Sequence, residues 1–211
     1  MSLAEQPRRA PSGTEIPAPR SAPREARVTT IFLIGKLLSR HGEALCRIRN
    51  LSSAGLMAEV HVPLEEDDAV QIELKAGDRL AGRVRWTRDG RMGVAFDGAI
   101  EVRTLLARAA ARTDGQKLVR APRFAVDCAV ELGGDGRRRA GRLVNLSQGG
   151  ARLEADFGPE RDQLLTLAIP GLPERQVGVR WAHDGALGLA FVEPLAFEEL
   201  GVWLVEQHRA A

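Results

Sequence analysis

The 211-residue chain has no apolar run approaching the roughly 20 residues that a membrane span requires, and it opens without a secretory signal pattern. Cysteine is almost missing. Cys46 and Cys128 stand in strand-like runs with no second Cys or His at metal-ligand spacing, which argues against a zinc site. Both read as small buried apolar residues, and the lack of a disulfide framework fits a reducing compartment. Charge of one sign is lacking too. A formal net charge of +2 gives no strong global field, so neither DNA nor RNA is expected as a partner. The four histidines, His41, His61, His183 and His208, are scattered in turns and near the C-terminus, with no nucleophile–base pair, metal cluster or paired acids. These absences together predict a cytoplasmic chain that is not an enzyme and holds no metal or cofactor.

What is present is a repeat. Asn50-Leu51-Ser52-Ser53-Ala54-Gly55 recurs 95 residues later as Asn145-Leu146-Ser147-Gln148-Gly149-Gly150. The offset persists: Arg85-Trp86 maps onto Arg180-Trp181, Asp89-Gly90 onto Asp184-Gly185, and Gly93, Ala95 and Phe96 onto Gly188, Ala190 and Phe191. A constant spacing over so long a stretch marks a tandem duplication. The repeated hexapeptide is a polar turn between strand-like runs. Its Asn and Ser bond readily to local backbone, and its Gly supplies either positive φ or a close approach to the backbone. A plain connecting loop would look the same.

Residues 1–23 are rich in Pro, Ala, Arg and Ser without apolar period, and read as a disordered basic tail. From 24 to 113 the first unit shows short β-rich runs: Val28 to Leu38, Ala44 to Ile48, Leu56 to Val60, Ala69 to Leu74, then Leu80, Gly82, Val84 and Trp86 on alternate positions. Asp89-Gly90 is a hairpin signal, after which Met92, Val94 and Phe96 alternate. Val102, Leu105, Leu106, Ala109 and Ala110 then form one helical face, and Thr113-Asp114-Gly115 starts a linker. The second unit, 114–211, repeats the order and ends in a helix with Phe197, Leu200, Gly201, Leu204 and Val205 on one face. Six short strands per unit with no intervening helix predict a mainly all-β protein: two tandem six-stranded antiparallel β-barrels, each followed by a short α-helix. Closure hides the edges of so small a sheet. The alternation places Trp86 and Trp181 in the cores.

Barrels of this size, with arginines before the first strand and Asn-x-Ser-x-x-Gly after the second, resemble PilZ domains. The resemblance implies a bacterial receptor for cyclic di-GMP whose signature is Arg-x-x-x-Arg followed by Asp/Asn-x-Ser-x-x-Gly. The chemistry suits that ligand. Arginine pairs with phosphate, stacks on purines and bonds bidentately to guanine O6 and N7. Asn and Ser offer short partners to the guanine edge, and Gly leaves room for the base. In the second unit the implied ligand residues are Arg120, Arg123, Asn145, Ser147 and Gly150; in the first they are Arg24, Arg27, Asn50, Ser52 and Gly55. The arginine half departs from the pattern in both. Val119 holds the first arginine's place in the second unit, and the first unit reads Arg24-Glu25-Ala26-Arg27.

Two functions compete on this reading. One is a cyclic di-GMP-binding signalling protein working through a protein effector. The other is a degenerate PilZ scaffold that has lost the nucleotide and acts by protein–protein contact. The second unit is the favoured binder. Pro122 restricts its arginine segment and no acid lies between Arg120 and Arg123, whereas Glu25 separates Arg24 from Arg27.

Overall fold

The computed structural model describes residues 28–74, 77–111 and 121–210. The expected tail over 1–23, together with Arg24, Arg27, Arg120 and the linker at Thr113, lies outside these residues.

Alternation governs the strands. In β5 (Arg79–Arg88), Leu80, Gly82 and Val84 are buried while Arg79, Ala81 and Arg83 face water. The same pleat runs through β1 (Val28–Ser39), β2 (Gly42–Leu51), β3 (Gly55–Val60), β4 (Ala69–Leu74) and β6 (Arg91–Phe96). All pairings are antiparallel, and the strands close in the order β1-β2-β3-β6-β5-β4. Helix α1 (Val102–Ala111) then packs Leu105 into the core. The second unit repeats this with β7 (Phe124–Gly134), β8 (Arg137–Ser147), β9 (Gly150–Glu154), β10 (Leu164–Ala168), β11 (Arg175–His183) and β12 (Ala186–Phe191), again a closed barrel, followed by α2 (Phe197–Ala210). The expected architecture of two six-stranded antiparallel barrels with trailing helices is observed. Asp89-Gly90 and Asp184-Gly185 have positive φ at both residues, as two-residue type I′ hairpins require.

Each barrel has its own apolar core, around Ile48, Ile72, Val84 and Met92 in the first and around Phe124, Leu143, Leu153 and Val179 in the second. Each fully buried Leu, Val or Phe side chain contributes about 1.5–3 kcal/mol relative to exposure. Cys46 is fully buried, and burial pushes its thiol up to about 12. Cys128 is only half-buried, against the edge of the second core. No helix among the described residues is long and apolar enough to cross a membrane.

The tryptophans correct the expectation drawn from alternation. Trp86 is 43% exposed and Trp181 half-buried. The cause is a β-bulge in each strand. Val84 pairs with Val94 but Trp86 with Gly93, and Val179 pairs with Leu189 but Trp181 with Gly188. The extra residue, Arg85 or Arg180, turns the following side chain to the outer face. The tryptophan at the centre of the core is Trp203 on α2, 1% exposed, whose Nε1 donates to the Pro170 carbonyl at 2.8 Å.

Candidate functional site

The motif's Asn, Ser and Gly occupy different environments. Ser147 Oγ donates to the Gly150 carbonyl at 3.1 Å, and Ser52 Oγ does the same to Gly55 at 3.0 Å. Gly150 cannot carry a side chain: a Cβ there would stand 2.2 Å from the Leu189 carbonyl oxygen, and at Gly55 it would stand 2.3 Å from that of Val94. Neither glycine has positive φ. The close approach of β9 to β12, and of β3 to β6, therefore accounts for the glycine. Strand spacing thus replaces room for a base as the reason this residue is Gly. Ser and Gly hold the turn, and Asn is left to face outward.

A second bulge in each unit aims that Asn. Leu143 pairs with Leu153 but Asn145 with Arg152, so Val144 is extra; Arg49 is extra before Asn50 in the same way. In the second barrel the bulges at Val144 and Arg180 bring one row of partners onto its outer face. Asn145 pairs with Arg152, Arg152 with Gly188, and Gly188 with Trp181. The indole lies flat over Gly188, where any Cβ would collide with it. His183 stacks against the indole, at 4.7 Å between centroids and 26° between planes. In the first barrel the row is Asn50, Met57, Gly93 and Trp86, with Met57 where the second has Arg152.

Around the second row lies an open groove of about 600 Å³. It is lined by Arg123, Asn145, Ser147, Gly150, Arg152, Arg180 and Trp181, among others. Arg180 has a distant carboxylate partner, Asp162 at 3.6 Å. Arg123 and Arg152 have none among the described residues. The groove thus offers three guanidinium groups, an amide and an aromatic edge to a planar anion.

Of the residues expected to bind ligand in the second unit, the structure brings Arg123, Asn145, Ser147 and Gly150 together. Arg120 lies outside the described residues, although Ala121 already lines the groove. In the first unit Asn50, Ser52 and Gly55 form the equivalent turn, and Arg24 and Arg27 lie outside the described residues. Sequence reasoning missed Arg152, Arg180 and Trp181 as groove residues. Arg180-Trp181 was visible as a repeated pair, but its outward direction depends on an unmarked bulge. Arg152 could have been found as the place where the repeat breaks, against Met57.

The turn is also fastened to the segment between the barrel and α2. Gln148 Nε2 donates to the Leu195 carbonyl at 3.1 Å, and the Leu195 N–H donates back to the Gln148 carbonyl at 2.8 Å. Among the described residues no group of three His, Cys, Asp or Glu side chains could hold a metal.

Fold and groove together define a tandem pair of small closed barrels, each presenting a polar turn on its outer face. The PilZ domain model matches residues 19–112 and 118–201, and the chain belongs to that family. No curated protein sequence matches it. Among solved structures it is similar to PlzA of Borreliella burgdorferi in complex with c-di-GMP, at 13% identity, covering 88% of this chain and 94% of that one, with a TM-score of 0.37. Bacillus subtilis MotI/DgrA, an inhibitor of motility, is 13% identical over 84% of this chain and 96% of that one, with a TM-score of 0.35. Escherichia coli YcgR in complex with c-di-GMP is 10% identical over 84% of each, with a TM-score of 0.35.

Proposed function

We propose that the chain is a cyclic di-GMP receptor that binds the dinucleotide in the groove of its second barrel and signals through a protein effector, with no DNA or RNA partner and no catalytic step. The observation that carries this is the row Asn145–Arg152–Gly188–Trp181. It places an amide, an unpaired guanidinium and an indole side by side next to Arg123. Asn145 is suited to the guanine edge, Arg152 and Arg123 to phosphate or a purine face, and Trp181 to an edge-on aromatic contact with a base. Arg120 would approach from the segment before β7. The first barrel, with Met57 in the row, is assigned a supporting role. On this proposal the two units divide between residues 113 and 114.

Isothermal calorimetry of the full chain with cyclic di-GMP tests the assignment. Replacing Arg152 by the first barrel's residue, R152M, removes one charge-assisted contact and is expected to weaken binding about tenfold or more. M57R leaves it unchanged. No heat of binding in the wild type would favour the alternative reading, a scaffold acting by protein contact alone. Retention of affinity in R152M and R123A, with loss in N50A, would move the site to the first barrel.

A further inference from the structure

The β7–β8 hairpin lies at the opposite end of β8 from the Ser147 turn, and it carries arginines at Arg137, Arg138, Arg139 and Arg142. The pleat divides them. Arg138 faces outward and is held by Glu174 at 2.8 Å and Glu131 at 3.1 Å; Arg142 is held by Asp127 at 2.6 Å and Glu154 at 3.2 Å. Arg137 and Arg139 line the mouth of the barrel, and among the described residues neither has a carboxylate partner. The Arg139 guanidinium lies over the Phe157 ring, 4.8 Å from its centroid.

Between them opens a cavity of about 700 Å³, within the range of small-molecule sites and in a place where barrels commonly bind ligands. Its floor is apolar: Leu132 is 2% and Leu165 6% exposed. Phe157 and Pro159 wall it.

The first barrel is an internal control, because the offset of 95 residues extends through its hairpin. Where the second barrel has Arg139, Phe157 and Pro159, the first has Ala44, Val62 and Leu64, all buried in its core. Arg40, in the place of Asp135, straps that mouth shut by ion pairs to Glu65 at 2.6 Å and Asp68 at 3.2 Å. The corresponding pair in the second barrel is a long 3.4 Å contact from Gln163 to Asp135. The same end of the same fold is plugged and strapped in one unit, and in the other it is open with two arginines that have no carboxylate partner among the described residues.

We propose that the mouth of the second barrel is a binding site for a small amphipathic monoanion, a carboxylate carried on a compact aliphatic or aromatic body. The body lies against Leu132, Leu165 and Phe157, and the carboxylate pairs with Arg137 and Arg139, whose planar forks match it. Asp135 and Glu160 also line the cavity and balance the two arginines. One carboxylate can reach both arginine forks, whereas a polyanion such as nucleic acid would also meet Asp135 and Glu160.

The test is displacement of 8-anilinonaphthalene-1-sulfonate from the full chain by sodium octanoate and, in parallel, by uncharged 1-octanol. Octanoate is expected to compete at one saturable site at least tenfold better than octanol. Arg139→Ala, at an exposed position, should weaken octanoate on the order of tenfold and leave octanol unchanged. The combination R139A, F157V and P159L rebuilds the first barrel's plug and should abolish displacement; if that protein does not fold, R139A alone decides. R152A, in the other groove, keeps octanoate binding. Equal competition by octanoate and octanol, absence of a saturable site in the wild type, or loss of octanoate binding in R152A would each overturn the proposal.

Discussion

Replacing Gly150 by alanine adds one methyl group, and the backbone decides its cost. The new Cβ would stand 2.2 Å from the Leu189 carbonyl oxygen and 3.3 Å from Ala190 Cα. An ordinary contact needs about 3.4 Å, so β9 and β12 must part by roughly an ångström where Ala190 faces Gly150 and Leu189 faces Ala151. Overpacking of this kind costs about 1–3 kcal/mol. In a unit of about 100 residues each kcal/mol lowers the melting temperature by roughly 4–8 °C. Calorimetric melting of the full chain should therefore show a loss of roughly 5–20 °C in the transition that reports the second barrel. Gly149 supplies the matched control. It is exposed, without positive φ, and a Cβ there meets nothing within 4 Å. Gly149→Ala should be neutral or stabilise by about 0.4–1 kcal/mol through the unfolded chain. If Gly150→Ala melts like the wild type, or if the two substitutions cost the same, then strand spacing is not why the motif ends in glycine.

The same geometry sets three further outcomes. Trp203→Ala should cost about 3–5 kcal/mol, whereas Trp181→Ala, on the outer face over Gly188, should cost clearly less; comparable chemical-denaturation midpoints for the two would refute the bulge. At pH 8, iodoacetamide should modify Cys128 well before Cys46; equal rates would show that Cys46 is not sealed in the first core. Because burial raises the Cys46 thiol to about 12, its contribution to stability is complete below the unfolded thiol's pKa and is lost as pH climbs from about 9 towards 12. Cys46→Ser, with no such thiol, should flatten part of that alkaline loss in a stability-versus-pH series, and an unchanged slope would count against the assignment.

The period-2 pattern of Leu80, Gly82 and Val84 carried real information about the barrel, and the constant offset carried the second barrel with it. Both depend on local chemistry repeated at fixed spacing, which a sequence displays directly. The groove was less legible. A bulge inserts one residue without a composition mark: Arg85, Arg180, Arg49 and Val144 look like ordinary strand positions. Yet each reverses the phase of the residues after it, so Trp181 leaves the core and Arg152 joins Asn145. Trp203 was missed for a different reason. It falls between Gly201 and Leu204 of the expected helical face, and α2 is buried on more than one side.

That breadth of burial explains how two barrels make one molecule. Phe197, Leu200, Trp203 and Leu204 of α2 enter the second core, while Val205 packs on the first and Leu45 of β2 reaches into the second. Arg47 lies 4.1 Å over the Phe197 ring and pairs with Glu59 at 3.3 Å and Glu198 at 3.4 Å. His61 fits only because residue 201 is glycine: a Cβ there would come within 2.3 Å of the imidazole. Shifted by the repeat, α1 presents Arg103 where α2 has Glu198 and Leu106 where it has Gly201. The second barrel answers with Arg142 in the place of Arg47 and with Ala140 in the place of Leu45. The residues that make the α2 contact on the first barrel are therefore not repeated between α1 and the second barrel. Because Gln148 binds Leu195 just before α2, and Phe124 beside Arg123 lies 5.2 Å under Lys36, both ends of the groove are built on backbone that also carries this contact. The Gln148 turn and the strand that starts beside Arg123 thus both adjoin the joint between the barrels.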